Sequence, residues 1–579
     1  MKTLRIAICQ INTTIGDLEG NTKKILRSIK KAQKISADIA VFPELSISGY
    51  PPEDLLLKSQ FITDNLKCLD LIKKEVKSLT AIVGFIDRQN ALYNAAAIIQ
   101  EGEIRGVCHK ICLPNYGVFD EKRYFAQGKN YTILTMNNIN VGINICEDIW
   151  VPGKVTEALI NEGGAEAVLN LSSSPYHVEK LKIREHMLST RAADNTAAIV
   201  YVNLVGGQDE LIFDGGSMVF DHKGNLTARA RQFREDFLPV DLDLTKVKDD
   251  RILIGYQKDA ILNAGKSKKI LRTEITSRTT SQNKSPISVR ITPHKKHLEE
   301  IYNALVLGTQ DYVKKNGFQK VLIGISGGID SALTAVIAVD ALGCENVVLV
   351  SMPSKISSKE TTGDAKKIAK NLGTKFHRIP IENILKKYED ELSDIMSPDK
   401  RIVIENLQAR IRGNILMGFS NRYDWLVLTT GNKSETSVGY STLYGDTAGG
   451  FAVIKDIAKT TVYELARYRN KKARRELIPK RVIEREPTAE LSPNQKVSDS
   501  IPPYNILDPI LKAYVEEEKS IDEIVAMGFD RNIVRDVLIM VDVNEYKRRQ
   551  NPIGIKITQK AFGKDRRLPV TNKYRYGYK

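Results

Sequence analysis

The chain has 579 residues, 42% hydrophobic and 27% charged, a balance that excludes a disordered or membrane-embedded protein and leaves room for more than one deep core. Its formal net charge of +16 raises nucleic-acid binding as a rival role. Acidic residues are interspersed with the basic ones except in the stretch after Tyr546, so a local positive surface for phosphate-bearing small molecules explains the charge equally well, and nucleic acid is the less favoured partner.

The opening residues Met1 to Ile8 read as a short strand rather than a leader, and no apolar run approaches the ~20 residues needed to span a bilayer. Six sparse cysteines (Cys9, Cys68, Cys108, Cys112, Cys146, Cys344) suit a reducing compartment, so a cytoplasmic protein with no membrane partner is expected. From Leu4 to about Tyr256, β-branched runs alternate with helical stretches. Strands are expected at Leu4–Ile11, Ile39–Phe42, Ile82–Ile86, Ala95–Ile99, Val141–Cys146, Ala167–Leu171 and Ile199–Leu204, several of them apolar throughout, as strands covered on both faces are. Gly215 to Asp221 and the segment after Gly224 read as a late hairpin. Between Gly265 and Pro293 the composition turns to Lys, Ser, Thr, Arg and Asn, which places a linker at 263–292 between domains 1–262 and 293–579. The second domain opens with an amphipathic helix around His297–Val313, then a strand Val321–Ser326, a helix from Ser331, and buried strands Val347–Ser351 and Trp425–Thr429. The fold class is α/β, parallel in the second half, without internal repeats.

Three residues stand just past strand ends: Glu44 in Val41-Phe42-Pro43-Glu44-Leu45, Lys110 in Cys108-His109-Lys110-Ile111-Cys112-Leu113-Pro114, and Cys146 in Ile143-Asn144-Ile145-Cys146-Glu147-Asp148. Amide cleavage requires a nucleophile, a proton carrier and positive charge where an oxyanion forms, and these three side chains supply them. A nearby ammonium and a carboxylate base are expected to draw the Cys146 thiol toward the thiolate. Glu44 would carry its proton, and Lys110 with the backbone N–H after Cys146 would hold the oxyanion. Taken singly, each residue has a plainer reading, as a core cysteine or a solvated strand cap. Cys108 and Cys112 lack the partner pair that zinc requires and read as structural thiols.

The Phe-Pro-Glu, Lys-x-x-Leu-Pro and Cys-Glu-Asp strings, in that order, resemble the nitrilase superfamily, specifically the glutaminase domain of glutamine-dependent NAD synthetases, across residues 1 to about 250. The resemblance implies an αββα sandwich and a Glu44, Lys110, Cys146 triad, with Glu121 as a supporting carboxylate. It further implies that Tyr116, Ser174 and Lys180 bind glutamine; some relatives carry Arg at the place of Lys180.

In the second half, Lys320 to Leu333 reads strand, glycine turn, helix start, and Ser326-Gly327-Gly328-Ile329-Asp330-Ser331 lets backbone amides approach phosphate. The kinase-type loop is absent, since no lysine stands in the turn. The string resembles the pyrophosphate loop of N-type ATP pyrophosphatases, which leave an adenylated substrate, and so implies a Rossmann-like adenylating domain. ATP would be a co-substrate held by Gly324, Ile325, Ser326, Gly327, Gly328, Ile329, Asp330 and Ser331. Leu426 to Glu435, Tyr440 to Asp446, Ile454-Lys455-Asp456 and the closing basic segment look like the NAD synthetase signature over about 295–579. That likeness implies ATP contact at Thr430, deamido-NAD contact at Asn406, Glu435 and Lys547, and Mg2+ on Asp330 and Glu435. One departure is Ala458, where relatives often have an aromatic residue. The joint expectation is a homo-oligomeric enzyme that amidates adenylated deamido-NAD with ammonia from glutamine, carried along a shielded passage. Its rival with the same ATP loop is another amidotransferase or a tRNA-thiolating enzyme.

Overall fold

The computed structural model describes residues 3–254, 269–275, 284–394, 401–486 and 501–574. The chain separates into two compact units, Met1–Gln208 with Phe213–His294, and Asp209–Ile212 with Lys295–Lys579.

The first unit holds two mixed sheets. One runs Asp236–Asp243, Thr3–Gln10, Ile39–Val41, Thr80–Arg88, Leu92–Gln100, Glu103–His109; the other runs Leu226–Arg229, Met218–Phe220, Ala198–Asn203, Ala167–Ser172, Ile139–Ile145, Tyr131–Met136, Ile270–Ile275. Because successive strand residues point to opposite faces, Ile6 and Ile8 meet Ile143 and Leu169 between the sheets. Ala7 and Cys9 instead face Ile25, Ile29 and Ile72 of the helices Leu18–Lys34 and Ser59–Glu75. On the far side, the helices Val155–Asn161 and Lys180–Asp194 bring Leu159 against Ile133 and Val168, and Leu188 against Ile199 and Tyr201. Sheets with apolar residues on both faces must be covered on both, and the result is the expected αββα sandwich. Burying each of these large aliphatic side chains contributes ~2 kcal/mol.

The linker reading needs correction over part of its length. Ile270–Ile275 is a strand paired in parallel with Tyr131–Met136. It lies at the sheet edge with most of its side chains partly or fully exposed, which is why its polar composition resembles a loop. Ile291 also forms a bridge with Arg229 of the first unit, so that end of the expected linker is part of the unit too; 263–268 and 276–283 lie outside the described residues.

The second unit is built on a parallel sheet ordered Lys375–Arg378, Val347–Ser351, Val321–Gly324, Leu426–Thr429, Phe451–Ala452. The helix Arg401–Tyr423 packs Ile411 and Leu416 on Leu322, Val348 and Val350. The helix Ile329–Leu342, apolar on nearly every side, is buried against the central strands. Beyond the sheet, the helices Tyr504–Leu511 and Arg531–Val543 join Val438 in a separate apolar cluster through Leu507, Ile510, Val537 and Leu538. Among the described residues, no helix is long and apolar enough to cross a membrane.

Candidate active sites

In the first unit, Glu44, Lys110 and Cys146 all follow strand ends, as their strings suggested. Glu44 lies on a loop pressed against the neighbouring strand at Gly84, where a Cβ would stand 2.4 Å from Pro43 O and from Leu45 N. Lys110 is the first residue after Glu103–His109, and its backbone N–H donates to Asn94 O at 2.8 Å. Cys146 follows Ile139–Ile145 with φ +46°, a left-handed turn that a cysteine adopts only at a cost of ~1–3 kcal/mol. All three side chains are buried.

Lys110 Nζ donates to Glu44 Oε1 and to Glu121 Oε1, each at 2.7 Å. Asn94 Nδ2 donates to Glu44 Oε1 at 2.7 Å and Ser173 N to Glu44 Oε2 at 2.9 Å, so the carboxylate is fixed from three directions. Tyr50 OH donates to Glu121 Oε1 at 2.8 Å. One ammonium between two buried carboxylates leaves excess negative charge. Burial accordingly pushes the Glu121 carboxyl up to about 7, against the pull of Lys110. Burial alone would lower the Lys110 pKa, yet Glu121 and Glu44 hold it well above its ordinary value.

The expectation that Lys110 draws Cys146 toward the thiolate is reversed in the resting site. Burial raises the thiol well above its ordinary value, Glu44 adds to the rise, and Lys110 offsets only part. The thiol therefore rests protonated.

Asp148, the last residue of the Cys-Glu-Asp string, ties the site together. Its Oδ1 accepts from Ile111 N at 3.1 Å and Cys112 N at 2.6 Å, and its Oδ2 from Ile145 N at 3.0 Å. The segment after Lys110 is thus pinned to the residue before Cys146. Tyr116 OH donates to both oxygens of Glu147, which follows Cys146, at 2.9 and 3.0 Å. Lys180 lies 4.3 Å from the Trp150 ring centroid, and burial, then Arg184, brings it down to about 8. Ser174 is held by Arg184, whose Nε donates to its Oγ at 3.3 Å while Nη1 binds Asp214 at 2.6 Å. Cys108 and Cys112 are buried free thiols, and among the described residues no cluster of three His, Cys, Asp or Glu could hold a metal.

In the second unit, the strand Val321–Gly324 leads into the glycine turn, and the helix begins at Ile329, two residues before the expected start. Gly327 has φ +90°, and a Cβ there would lie 2.2 Å from Thr361 O. Ser326 Oγ accepts from Gly328 N at 3.1 Å, and Ser331 Oγ donates to Gly328 O at 3.1 Å. The helix has no side-chain cap, so its first amides face the turn, an arrangement that suits phosphate. Thr430 directly follows Leu426–Thr429, the strand paired with Val321–Gly324.

Asp330 and Glu435 meet on a residue to which the sequence reading gave no role. Lys459 Nζ donates to Asp330 Oδ2 at 2.5 Å and to Glu435 Oε1 at 3.0 Å. Burial opposes its charge, but the two carboxylates raise it well above the ordinary lysine value. Asn432 Nδ2 donates to Asp330 Oδ1 at 2.9 Å while its Oδ1 accepts from Glu435 N at 3.0 Å. Tyr504 OH donates to Glu435 Oε1 at 3.1 Å. Burial raises the Glu435 carboxyl, with Lys459 pulling the other way and Asp330 adding.

A pocket open to solvent lies beside Glu435, its lining including Ser441, Asp446, Lys455 and Asn551. Two of the remaining candidates bond to the segment 439–442, which supplies part of that lining. Lys547 Nζ donates to Gly439 O at 2.8 Å and Ser441 O at 3.0 Å, and Asn406 Oδ1 accepts from Thr442 Oγ1 at 2.7 Å.

Comparison with known proteins gives each half a relative. The carbon-nitrogen hydrolase family matches residues 5–252 and the NAD synthase family residues 301–551. The glutamine-dependent NAD(+) synthetase of Thermotoga maritima is 47% identical over 99% of this chain and 100% of its own; that of Aquifex aeolicus is 49% identical over 99% and 100%. The solved structure of the glutamine-dependent NAD+ synthetase from Acinetobacter baumannii in complex with ADP is 40% identical, covers 100% of this chain and 99% of its own, and superposes with a TM-score of 0.74.

Proposed function

The chain belongs to the glutamine-dependent NAD(+) synthetases, and on that premise we propose how its two sites divide the work. Its activity is that of a carbon–nitrogen ligase that makes NAD with nitrogen from glutamine.

In the first site, Cys146 Sγ attacks the glutamine carboxamide carbon while Glu44 takes the thiol proton. A thiol that rests protonated needs this simultaneous transfer, and the donors from Asn94, Lys110 and Ser173 hold Glu44 as the acceptor. Lys110 Nζ and the Glu147 N–H hold the tetrahedral oxyanion. Glu44 returns the proton to the departing ammonia, and water, deprotonated by Glu44, cleaves the thioester to glutamate. Tyr116, Ser174 and Lys180 orient the amino-acid end of the substrate.

In the second site, the amides of the 324–331 turn cradle ATP phosphates, with Thr430 as a further contact, and the nicotinate carboxylate of deamido-NAD attacks the α-phosphorus. Pyrophosphate leaves; ammonia then adds to the acyl adenylate and AMP departs. Asn406, Glu435 and Lys547 hold the dinucleotide, and Lys459 neutralises charge that develops on the phosphates. Two carboxylates gathered on one cation form a donor set suited to magnesium, which when bound by Asp330 and Glu435 would withdraw charge from the bridging phosphate oxygens. A cytoplasmic location is supported by six free cysteines. Assembly into a homo-oligomer completes the reading, with sedimentation as its test.

The observation that carries the proposal is the convergence of Glu44 and Lys110, 66 residues apart, in one buried ion pair acting on Cys146. Cys146→Ala should abolish glutamine-driven NAD formation and retain the ammonium-driven reaction; surviving glutamine hydrolysis would remove Cys146 from its role. Asp330→Ala should abolish NAD formation from both nitrogen sources, and an unchanged ammonium-driven rate would remove the second site.

A further inference from the structure

The helix that carries Lys459, Lys459–Ala473, begins after Ala458, a residue that cannot cap it. Its first amides are satisfied from elsewhere. Lys459 N donates to Ser434 Oγ at 2.8 Å and Thr460 N to Asp508 Oδ2 at 3.0 Å. Ser434 Oγ in turn donates to Asp508 Oδ1. Ser434 is fully buried and Asp508 nearly so. Ser434 also immediately precedes Glu435, so one carboxylate, 74 residues from Ser434 and 48 from Thr460, holds the backbone under both Glu435 and Lys459. Tyr504, one helical turn before Asp508 on the same helix, donates to Glu435 itself. Residues at i and i+4 share a helix face, so Tyr504–Leu511 presents one face to this ion cluster.

We propose that Asp508 is a positioning residue for ligation: as a remote cap it fixes the helix bearing Lys459 and, through Ser434, the backbone next to Glu435. The inference rests on the reading of Asp330, Glu435 and Lys459 as the site that handles ATP. A buried carboxylate placed at uncapped helix amides gains from hydrogen bonds and from the helix dipole together. An ordinary local cap would serve stability equally well. A cap shared with the residue before Glu435 locks two reacting-site side chains into one register.

The test is ammonium-driven NAD formation by the full-length enzyme, with kcat and KM for ATP measured separately below each variant's unfolding midpoint. Asp508→Ala should lower kcat by about ten- to a hundredfold, the cost of an ångström-scale misplacement of charged groups, while KM for ATP changes less than about threefold because the backbone cradle at 324–331 is untouched. Asp508→Asn keeps an acceptor for Thr460 N–H and a donor for Ser434 Oγ, and should recover kcat to within about fivefold of the parent. If Asp508→Ala does not fold, Ser434→Ala breaks the same bridge and carries the same expectation. A kcat within about twofold of the parent for the alanine variant, or an asparagine variant no better than alanine, overturns the proposal. Lys459→Met separates the two readings. If it leaves the ammonium-driven rate unchanged, the site assignment itself fails; if it abolishes the rate while Asp508→Ala does not lower it, only the remote cap fails.

Discussion

Replacing Asp148 by Asn perturbs the first site without touching any group that meets the substrate. The carboxylate is buried and accepts three backbone N–H bonds. An asparagine with its carbonyl toward Ile111 and Cys112 keeps two of them but turns an NH2 against Ile145 N–H, leaving one buried donor unpaired at ~1–3 kcal/mol. The same change removes a buried charge. Burial raises the Asp148 carboxyl from 3.8 to about 6, with the backbone donors pulling back, a difference of ~3 kcal/mol between its protonation states. A folded pKa above the unfolded one gives stability that is fully present below pH 3.8 and is lost as pH rises through about 6. The parent should therefore lose up to ~3 kcal/mol relative to Asp148→Asn between about pH 4 and pH 7, read as the change in unfolding free energy of variant minus parent at each pH. Because Ile145 precedes Cys146, glutamine-driven NAD formation should fall by about tenfold or more while the ammonium-driven rate stays within about twofold. A variant-minus-parent stability that does not move with pH would refute the electrostatic step, and an undiminished glutamine-driven rate would refute the pin.

Other perturbations isolate single links. Gly84→Ala sets a Cβ 2.4 Å from Pro43 O and Leu45 N, so it should displace Glu44 and cut glutamine hydrolysis by about a hundredfold, measured as glutamate release, with ammonium-driven synthesis retained. Gly327→Ala meets both a left-handed backbone and Thr361 O; KM for ATP should rise by about tenfold or more, while glutamine hydrolysis stays within about twofold. Glu121→Gln should abolish an inflexion near pH 7 in glutamine-driven kcat/KM, since burial pushes that carboxyl up to about 7 against the pull of Lys110; an inflexion unchanged in the variant would assign it elsewhere.

The parts legible in sequence were those with a local pattern. Apolar runs such as Ile39–Val41 and Ala167–Ser172 declared themselves as strands because they are buried on both faces. Glu103–His109, Lys375–Arg378 and Ile270–Ile275 did not, because an edge strand with exposed side chains loses the apolar periodicity. Glu44, Lys110, Cys146 and the Ser-Gly-Gly turn sit at strand ends within recognisable strings. Lys459, Tyr504 and Asp508, and Asp148 in its bonds to Ile111 and Cys112, act through contacts tens of residues away, and no spacing rule reaches that far. Lys459 carried one local sign, a lysine in the first turn of its helix, where the dipole disfavours positive charge. That misfit is tolerable only because Asp330 and Glu435 face it.

Both sites solve a charge problem in the same form, a buried lysine between two carboxylates, and the form explains why each can work as it does. Lys110 between Glu44 and Glu121, like Lys459 between Asp330 and Glu435, leaves one negative charge uncompensated in a medium that penalises it. Such a cluster is drawn to additional positive charge. In the first site the cation is a proton: burial pushes the Glu121 carboxyl up to about 7, and in the mechanism we propose Glu44 carries a proton once Cys146 has attacked. In the second site the raised Glu435 carboxyl shows the same pull, and the divalent cation we propose there would offset both that charge and the charge of the ATP phosphates. The lysine supplies too little charge in both places, and in the mechanism we propose that deficit is what lets the first cluster take up a proton and the second a divalent ion.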